Sequence, residues 1–341
     1  VSASPTIIDH FDLILASPTL APAPKLVIQI GAEPVGAAWP TAFASAQRWV
    51  LSDHDWHDAD SSAHAVIVGD VSQAFATLAE KVAKRAASKQ SSGVGPQFGF
   101  SAAWQAAETR AAGAVNRALA SHPRSEGAVM RAVMDALPEG VAIQIGNSLP
   151  IRVIDQVCSS TVARRVLTQR GAAGIDGLIA SAAGATCTGA TRRGATGTPV
   201  LLVLGDVSFA HDVGGLLATR EARAPLAILV LDNAGGRIFD GLPIAKTDAG
   251  SAFARHFTTA PQLDPAAVAL VLGAQAITAA TPAAAAAAVA VAFAKSGVTV
   301  IHAPVTPTGA HDVRRDALEL VHTSAGGRAS SSSLAAGAHH G

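Results

Sequence analysis

An excess of charge of either sign is missing from this sequence: Lys and Arg together number 25, and so do Asp and Glu. With no net field, there is no broad attraction for nucleic acid or an anionic membrane, and no run of Lys and Arg makes a local one. Cysteine is nearly absent. Cys158 and Cys187 stand alone without CxxC spacing, which excludes a zinc ribbon or a disulfide framework. Both read as small buried hydrophobes in a reducing compartment. No secretory leader is visible, because Asp9 and Asp12 interrupt any early apolar run. A bilayer-spanning run is also lacking. The longest apolar stretch, Pro282 to Ala294, falls short of the ~20 residues a span needs. It is rich in alanine and reads as a soluble helix, with Thr281 as cap, Pro282 at the first position and Gly297 beyond its end. These features suggest a cytoplasmic protein (a plastid one if the source is an alga). The chain begins at Val1 rather than Met, so it is expected to be a fragment or a processed product.

What is present is a chain of 341 residues, nearly half apolar, enough for two domains. Lys25–Ile30 (KLVIQI), Trp49–Leu51 and Ala65–Val68 read as short buried strands, with helices expected near Thr41–Gln47 and Ser72–Ala87. This alternation implies a parallel sheet covered by helices. Residues 88–100 read as a linker, since Ser88–Gln97 is polar and rich in Gly and Ser. A helix-rich stretch follows, and then Val141–Ile145, Val200–Leu204, Leu226–Leu231 and Val298–Ala303 read as strands with helices between them. The expectation is α/β: two doubly wound parallel-sheet domains, 1–87 and 101–322, with a disordered tail over 323–341 that ends in His339 and His340. Arg192–Thr198 reads as a surface loop.

Chemistry concentrates at two strand ends. The run LLVL ends in Gly205-Asp206, and Ser208 is expected to start a helix whose free N–H groups favour an anion. The next strand ends in Asp232-Asn233-Ala234-Gly235-Gly236. One βαβ unit separates Asp206 from Asn233, which brings both side chains to the carboxyl edge of one sheet, where ligands sit in open α/β folds. A carboxylate, an amide oxygen and a backbone carbonyl form an all-oxygen set suited to Mg²⁺, which completes its octahedron with waters and phosphate. The glycines after Asn233 allow close approach of a diphosphate.

The segment Gly205–Leu242 (GDVSFAHDVGGLLATREARAPLAILVLDNAGGRIFDGL) resembles the thiamine diphosphate (ThDP) motif of the 2-succinyl-5-enolpyruvyl-6-hydroxy-3-cyclohexene-1-carboxylate synthase (MenD) family. Gly146–Arg152 (GNSLPIR) resembles its substrate motif, Arg170–Gly177 (RGAAGIDG) its cofactor-wedge motif and Gly235–Phe239 (GGRIF) its closing segment; HFDLIL and LVIQIG extend the likeness toward the start of the chain. The resemblance implies a ThDP- and Mg²⁺- (or Mn²⁺-) dependent transferase of menaquinone or phylloquinone biosynthesis. It would decarboxylate 2-oxoglutarate and add the succinyl carbanion to isochorismate. It assigns the metal to Asp206, Asn233 and the Gly235 carbonyl, and the rest of the cofactor to Ile175, Gly205, Val207, Ser208 and Gly236. It assigns substrate to Ser148, Arg152, Arg170, Ile238, Phe239 and Leu242. Residues 1–87 would be part of the family's central domain and 101–322 its diphosphate domain.

The resemblance also implies a further half. The glutamate that activates the cofactor belongs to an N-terminal pyrimidine domain that lies outside this chain, so no catalytic residue is assigned here. The chain is expected to be inactive alone and to work as a homodimer or homotetramer with that domain supplied. Ala37 and Ala38 stand where the family often has a basic pair, and Asp232 stands where Asn is common; Asp there could still cap the turn. Two other readings are another ThDP enzyme, such as an acetohydroxyacid synthase or 2-hydroxyacyl-CoA lyase, and a non-catalytic binding or assembly module. Asp53–Asp58 (DHDWHD) and His211-Asp212 catch the eye as a metal cluster and an acid–base pair. A solvated loop and a helix-surface or packing role are the readings favoured here.

Overall fold

The computed structural model describes residues 7–89, 98–159, 163–189, 197–247 and 250–326. Its elements, in order, are α1 (Phe11–Leu15), β1 (Leu26–Ile30), α2 (Trp39–Ala42), β2 (Gln47–Ser52), β3 (Ala65–Val68), α3 (Val71–Lys89), α4 (Phe98–Ser121), α5 (Glu126–Ala136), β4 (Ala142–Ile145), α6 (Leu149–Val157) and β5 (Val166–Thr168). There follow α7 (Leu178–Ala185), β6 (Val200–Gly205), α8 (Asp206–His211), β7 (Leu226–Asp232), α9 (Gly250–Phe253), α10 (Pro265–Val271), β8 (Gln275–Thr278), α11 (Pro282–Phe293), β9 (Val298–Pro304) and α12 (Gly309–Gly326). Two sheets form, of order β1-β2-β3 and β5-β4-β6-β7-β9-β8, and every pairing in them is parallel. The α/β class and the parallel sheets agree with the reading of the sequence. Over its described residues the chain divides into two compact units, one of Val1–His10 and Ala112–Leu320 and the other of Phe11–Ala111 and Val321–Gly341.

The middle of the six-stranded sheet is built from two runs of apolar residues with no polar alternation. β6 and β7 are buried along nearly their whole length, as strands covered on both faces must be. One face gathers Leu202, Leu204, Ile228 and Val230 with Leu178 and Ile179 of α7 and Phe209 of α8. α11, packed on α5, also contacts β7 and β9 but stands outside that cluster, so helices cover both faces. Thr281 accepts from the Ala284 amide at 3.2 Å, with Pro282 at the helix start, as its sequence implies. The chain runs from β4 outward to β5, then crosses back to β6 on the other side of β4. That reversal opens a crevice beyond the carboxyl ends of β4 and β6.

Several expectations are corrected. Leu26, Ile28 and Ile30 are exposed, not buried, because the three-stranded sheet leaves one alternate set of side chains uncovered. The helix expected at Thr41–Gln47 is the short α2, and Gln47 already belongs to β2, which pairs with β1. Helical backbone reaches into both ends of the span read as a linker and into 323–326 of the tail read as disordered. Ser91–Gln97, Arg192–Thr196, His339 and His340 lie outside the described residues. Cys187 is exposed, because it falls in the turn after α7; Cys158 is only partly buried as a residue, but burial pushes its thiol up to about 12. Among the described residues, no helix is long and apolar enough to cross a membrane.

In the smaller unit, a polar knot closes the loop after β2. Arg48 donates to Gln29 Oε1 (2.6 Å), Ser62 Oγ (2.8 Å) and Asp58. Asp58 also accepts from the Ser62 and Ala63 amides. Asp58 therefore anchors a loop, and among the described residues no three His, Cys, Asp or Glu groups gather as metal ligands. Burial alone would raise the Asp58 carboxyl, yet the amides of Ala63 and Ser62 and the Arg48 guanidinium hold it below the usual range. A carboxyl depressed in the folded state stabilises the fold above its unfolded pKa, about 4, and loses that contribution as pH falls. Asp58→Asn is expected to flatten the acid limb of this unit's stability. All four tryptophans, Trp39, Trp49, Trp56 and Trp104, lie within the unit, so urea unfolding followed by their fluorescence from about pH 7 to pH 3 reads it alone.

Candidate functional site

The loops after β4, β5, β6 and β7 open at the carboxyl edge of the six-stranded sheet. Gly205 pairs with Leu231, so Asp206 and Asn233 emerge from neighbouring strand ends. α8 begins at Asp206, two residues before the expected Ser208, because the extended Gly205 caps it. Ser208 therefore sits buried in the first turn. The Asp206 carboxylate accepts from the Val207 amide (2.9 Å) and from the Gly235 amide (2.7 Å), which ties the two loops together. Gly235 has φ +121, and a Cβ there would stand 2.3 Å from the Thr258 carbonyl. Ala234, also with positive φ, turns the chain from Asn233 into this position. The Gly236 amide donates to the Thr258 carbonyl (2.6 Å), while the Gly235 carbonyl accepts from Arg237 N (2.8 Å) and keeps a second lone pair.

Asp206 is 4% exposed, and burial together with neighbouring Asp232 pushes its carboxyl up to about 6. Asp232 is held low, first by its hydrogen bond to His302 Nε2 (2.8 Å), and it accepts from the Ala234 amide (3.1 Å), so it closes the turn as an Asp can. Asn233 Nδ2 donates to Glu126 Oε1 (2.9 Å), and burial raises the Glu126 carboxyl. Asn233 Oδ1 is buried and has no hydrogen-bond partner among the described residues. An orphaned amide oxygen is costly unless something accepts its lone pairs. A hard cation between Asp206, Asn233 Oδ1 and the Gly235 carbonyl would relieve both the unbonded oxygen and the buried carboxylate, so these residues fit such an ion.

At the switch point, Gly146 packs directly on β6; a Cβ there would stand 3.1 Å from the Val203 carbonyl. Asn147 donates to the Gly174 carbonyl (2.7 Å) and accepts from Arg170 Nη1 (3.3 Å). Ser148 has φ 71 and ψ −132, a sparsely populated backbone for serine. Arg152 donates to its carbonyl (2.7 Å), and burial followed by repulsion from Arg170 lowers the guanidinium's pKa. Two guanidiniums near enough to disfavour each other make a natural receptor for carboxylates. Ile175 is half-buried in the loop that follows Gly174. Asp212 accepts from the amides of Gly177 (2.9 Å) and Ile179 (2.6 Å), so it caps α7 and has a packing role rather than an acid–base one. Ile238 is half-buried, Phe239 and Leu242 are exposed, and Phe239 meets Phe257 edge to face at 5.7 Å.

The structure thus joins Asp206, Val207 and Gly235 directly, sets Asn233 on the adjacent strand end, and brings Arg152 within electrostatic reach of Arg170. No direct contact joins those two groups to Ile238, Phe239 or Leu242 among the hydrogen bonds and ring pairs described. Glu126, Asn147, Thr258 and His302 support the site but did not stand out in the sequence. Asn147 carried a signal, since it lies inside GNSLPIR; the others carried none.

Residues 151–303 match the family model "Thiamine pyrophosphate enzyme, C-terminal TPP binding domain". A 2-succinyl-5-enolpyruvyl-6-hydroxy-3-cyclohexene-1-carboxylate synthase from Sorangium cellulosum is 40% identical over 328 residues, covering 91% of this chain and 52% of that protein. Its namesake from Geobacillus kaustophilus is 34% identical over 246 residues, covering 70% of this chain and 40% of that protein. The X-ray structure of a protein from Mycobacterium smegmatis, assigned as thiamin diphosphate-dependent, superposes with a TM-score of 0.52 at 16% identity. It covers 83% of this chain and 49% of its own, and that likeness speaks for the fold alone. The chain spans about half the length of the curated relatives it matches. Over most of its length the chain is similar to 2-succinyl-5-enolpyruvyl-6-hydroxy-3-cyclohexene-1-carboxylate synthases, and over residues 151–303 to the thiamine pyrophosphate-binding domain of thiamine pyrophosphate enzymes.

Proposed function

We propose that this chain supplies the diphosphate- and metal-binding part of an enzyme that decarboxylates 2-oxoglutarate and joins the succinyl unit to isochorismate. The observation that carries the reading is the unbonded, buried Asn233 Oδ1 on the strand end beside Asp206. Asp206, Asn233 Oδ1 and the Gly235 carbonyl would hold Mg²⁺ or Mn²⁺. Gly205, Val207, Ser208 and Gly236 would border the diphosphate, and Ile175 would press the cofactor into its bent form. When bound, thiamine diphosphate supplies the electron sink for decarboxylation. The chain's own work is to bind and orient. Arg152 and Arg170, with Ser148 beside them, would take the carboxylates of two dianionic substrates, and Ile238, Phe239 and Leu242 would line an apolar wall. The paired guanidiniums favour this reading over an acetohydroxyacid synthase-like one, whose pyruvate carries one carboxylate. A pyrimidine-binding domain, from the same polypeptide or another copy, would complete the site in a homodimer or homotetramer.

Titrating thiamine diphosphate into the full chain with Mg²⁺ is expected to give saturable heat that EDTA removes. With a relative's pyrimidine-binding domain added, the mixture is expected to release CO₂ from 2-oxoglutarate and not from pyruvate. No Mg²⁺-dependent binding with or without that domain, or turnover of pyruvate alone, overturns the proposal.

A further inference from the structure

The Asn233 side chain can serve a cation only one way round. Its oxygen attracts a positive ion and its NH₂ repels one, yet the two ends have nearly the same shape. Something must tell them apart. Glu126 opens α5, 107 residues earlier in the chain, and is 1% exposed. Its Oε1 receives Asn233 Nδ2 at 2.9 Å. A carboxylate accepts hydrogen bonds and donates none, so the NH₂ end must face Glu126 and Oδ1 must face away. Oδ1 is the atom left without a partner. The start of α12 passes close to the carboxylate, since a Cβ at Gly309 would stand 2.8 Å from Glu126 Oε2. The Asn233 main chain is held as well, its carbonyl accepting from Arg237 Nε at 3.2 Å.

We infer that Glu126 is a positioning residue that orients the Asn233 amide so that Oδ1 faces the cation. The inference rests on the proposed metal site. It adds a residue outside every motif quoted above, and it assigns Glu126 no contact with cofactor or substrate. Partners of this kind, one step removed from the ion, are worth about 10–100-fold in metal affinity.

The test is Mn²⁺ binding to the full chain in the presence of thiamine diphosphate, read by the electron paramagnetic resonance signal of free Mn²⁺. Glu126→Gln matches glutamate in shape but can offer either a donor or an acceptor to Asn233, and it is expected to weaken Mn²⁺ binding at least about tenfold. Glu126→Asp leaves a gap but keeps an acceptor-only group, so it is expected to retain more affinity than the isosteric Gln. A packing role ranks the two variants the other way, and that ranking, or equal affinities for E126Q and the unaltered chain, overturns the inference. A second background removes the question of which end faces the ion. In Asn233→Asp the side chain has two equivalent oxygens, so adding E126Q to it is expected to leave affinity unchanged or raise it. Equal losses in both backgrounds also overturn the inference. Circular dichroism reports folding; should E126Q fail to fold, Glu126→Asp is compared with Glu126→Ala, and the Asp variant must bind Mn²⁺ more tightly. If the unaltered chain binds no Mn²⁺ with or without a pyrimidine-binding domain, the reading of the metal site itself falls and this inference falls with it, an outcome distinct from equal binding by both forms.

Discussion

Asp206→Ala is expected to weaken divalent-cation binding at least about a hundredfold. Removing one member of a buried charge pair costs about 3–5 kcal/mol, and each 1.4 kcal/mol is about tenfold in affinity. Two features of the site raise the expectation toward the upper end. The carboxylate is almost fully buried, so little water screens it from an ion. It also anchors the Gly235 amide at 2.7 Å, so its loss releases the loop that carries the other two proposed oxygen ligands. Titration calorimetry with Mg²⁺ and thiamine diphosphate measures the effect. Affinity within about threefold of the unaltered chain would remove Asp206 from the cation site, since a rim contact is worth under about 1 kcal/mol.

Gly235→Ala is expected to have the second large effect, and this one appears without any ligand. At φ +121 an L-residue is strained, and the added Cβ would stand 2.3 Å from the Thr258 carbonyl and 2.8 Å from Thr258 Cγ2. The first of these is backbone, which cannot swing aside as a flexible side chain would. Strain and overpacking together predict a loss of about 3 kcal/mol, or ~6–12 °C in the unit's melting temperature. Gly184→Ala is the control. It lies near the end of α7 with nothing within 4 Å of its Cβ and with an ordinary backbone, so it is expected to stabilise by about 0.5–1 kcal/mol. Differential scanning calorimetry compares the two. Similar melting temperatures for both variants would mean that the turn after β7 has room for a methyl group.

The parts of the fold legible in the sequence were those with a local signature. The central strands β6 and β7 announce themselves as unbroken apolar runs because both faces are covered, and β9 (VTVIHAP) stands out by its β-branched residues. β5 (VLT) and β8 (QAIT) escaped notice because edge strands of three and four residues are too short to show a period and need not be apolar. The same logic divides the candidate site. Asp206, Asn233 and the glycines after it are readable because a strand end places its own neighbours. Glu126 and His302 are not, since each reaches the site from a distant element by tertiary packing. Asp212 shows a third case: it is plain in the sequence beside His211, but its task is visible only once the hydrogen bonds it accepts from the Gly177 and Ile179 amides at the start of α7 are seen. Leu26, Ile28 and Ile30 mark the limit of hydrophobicity as a guide, since an apolar strand in a three-stranded sheet need not be covered.

The amide of Asn147 acts as a splint across the loop that follows β5. One end holds the Gly174 carbonyl, next to Ile175, and the other receives the guanidinium of Arg170. If Ile175 meets the cofactor ring and Arg170 a carboxylate, as proposed, both are set by one side chain that need touch neither ligand. Trimming that side chain would blur two recognition tasks together. Selection for a different acid at this site would thus tend to disturb the grip on the ring as well.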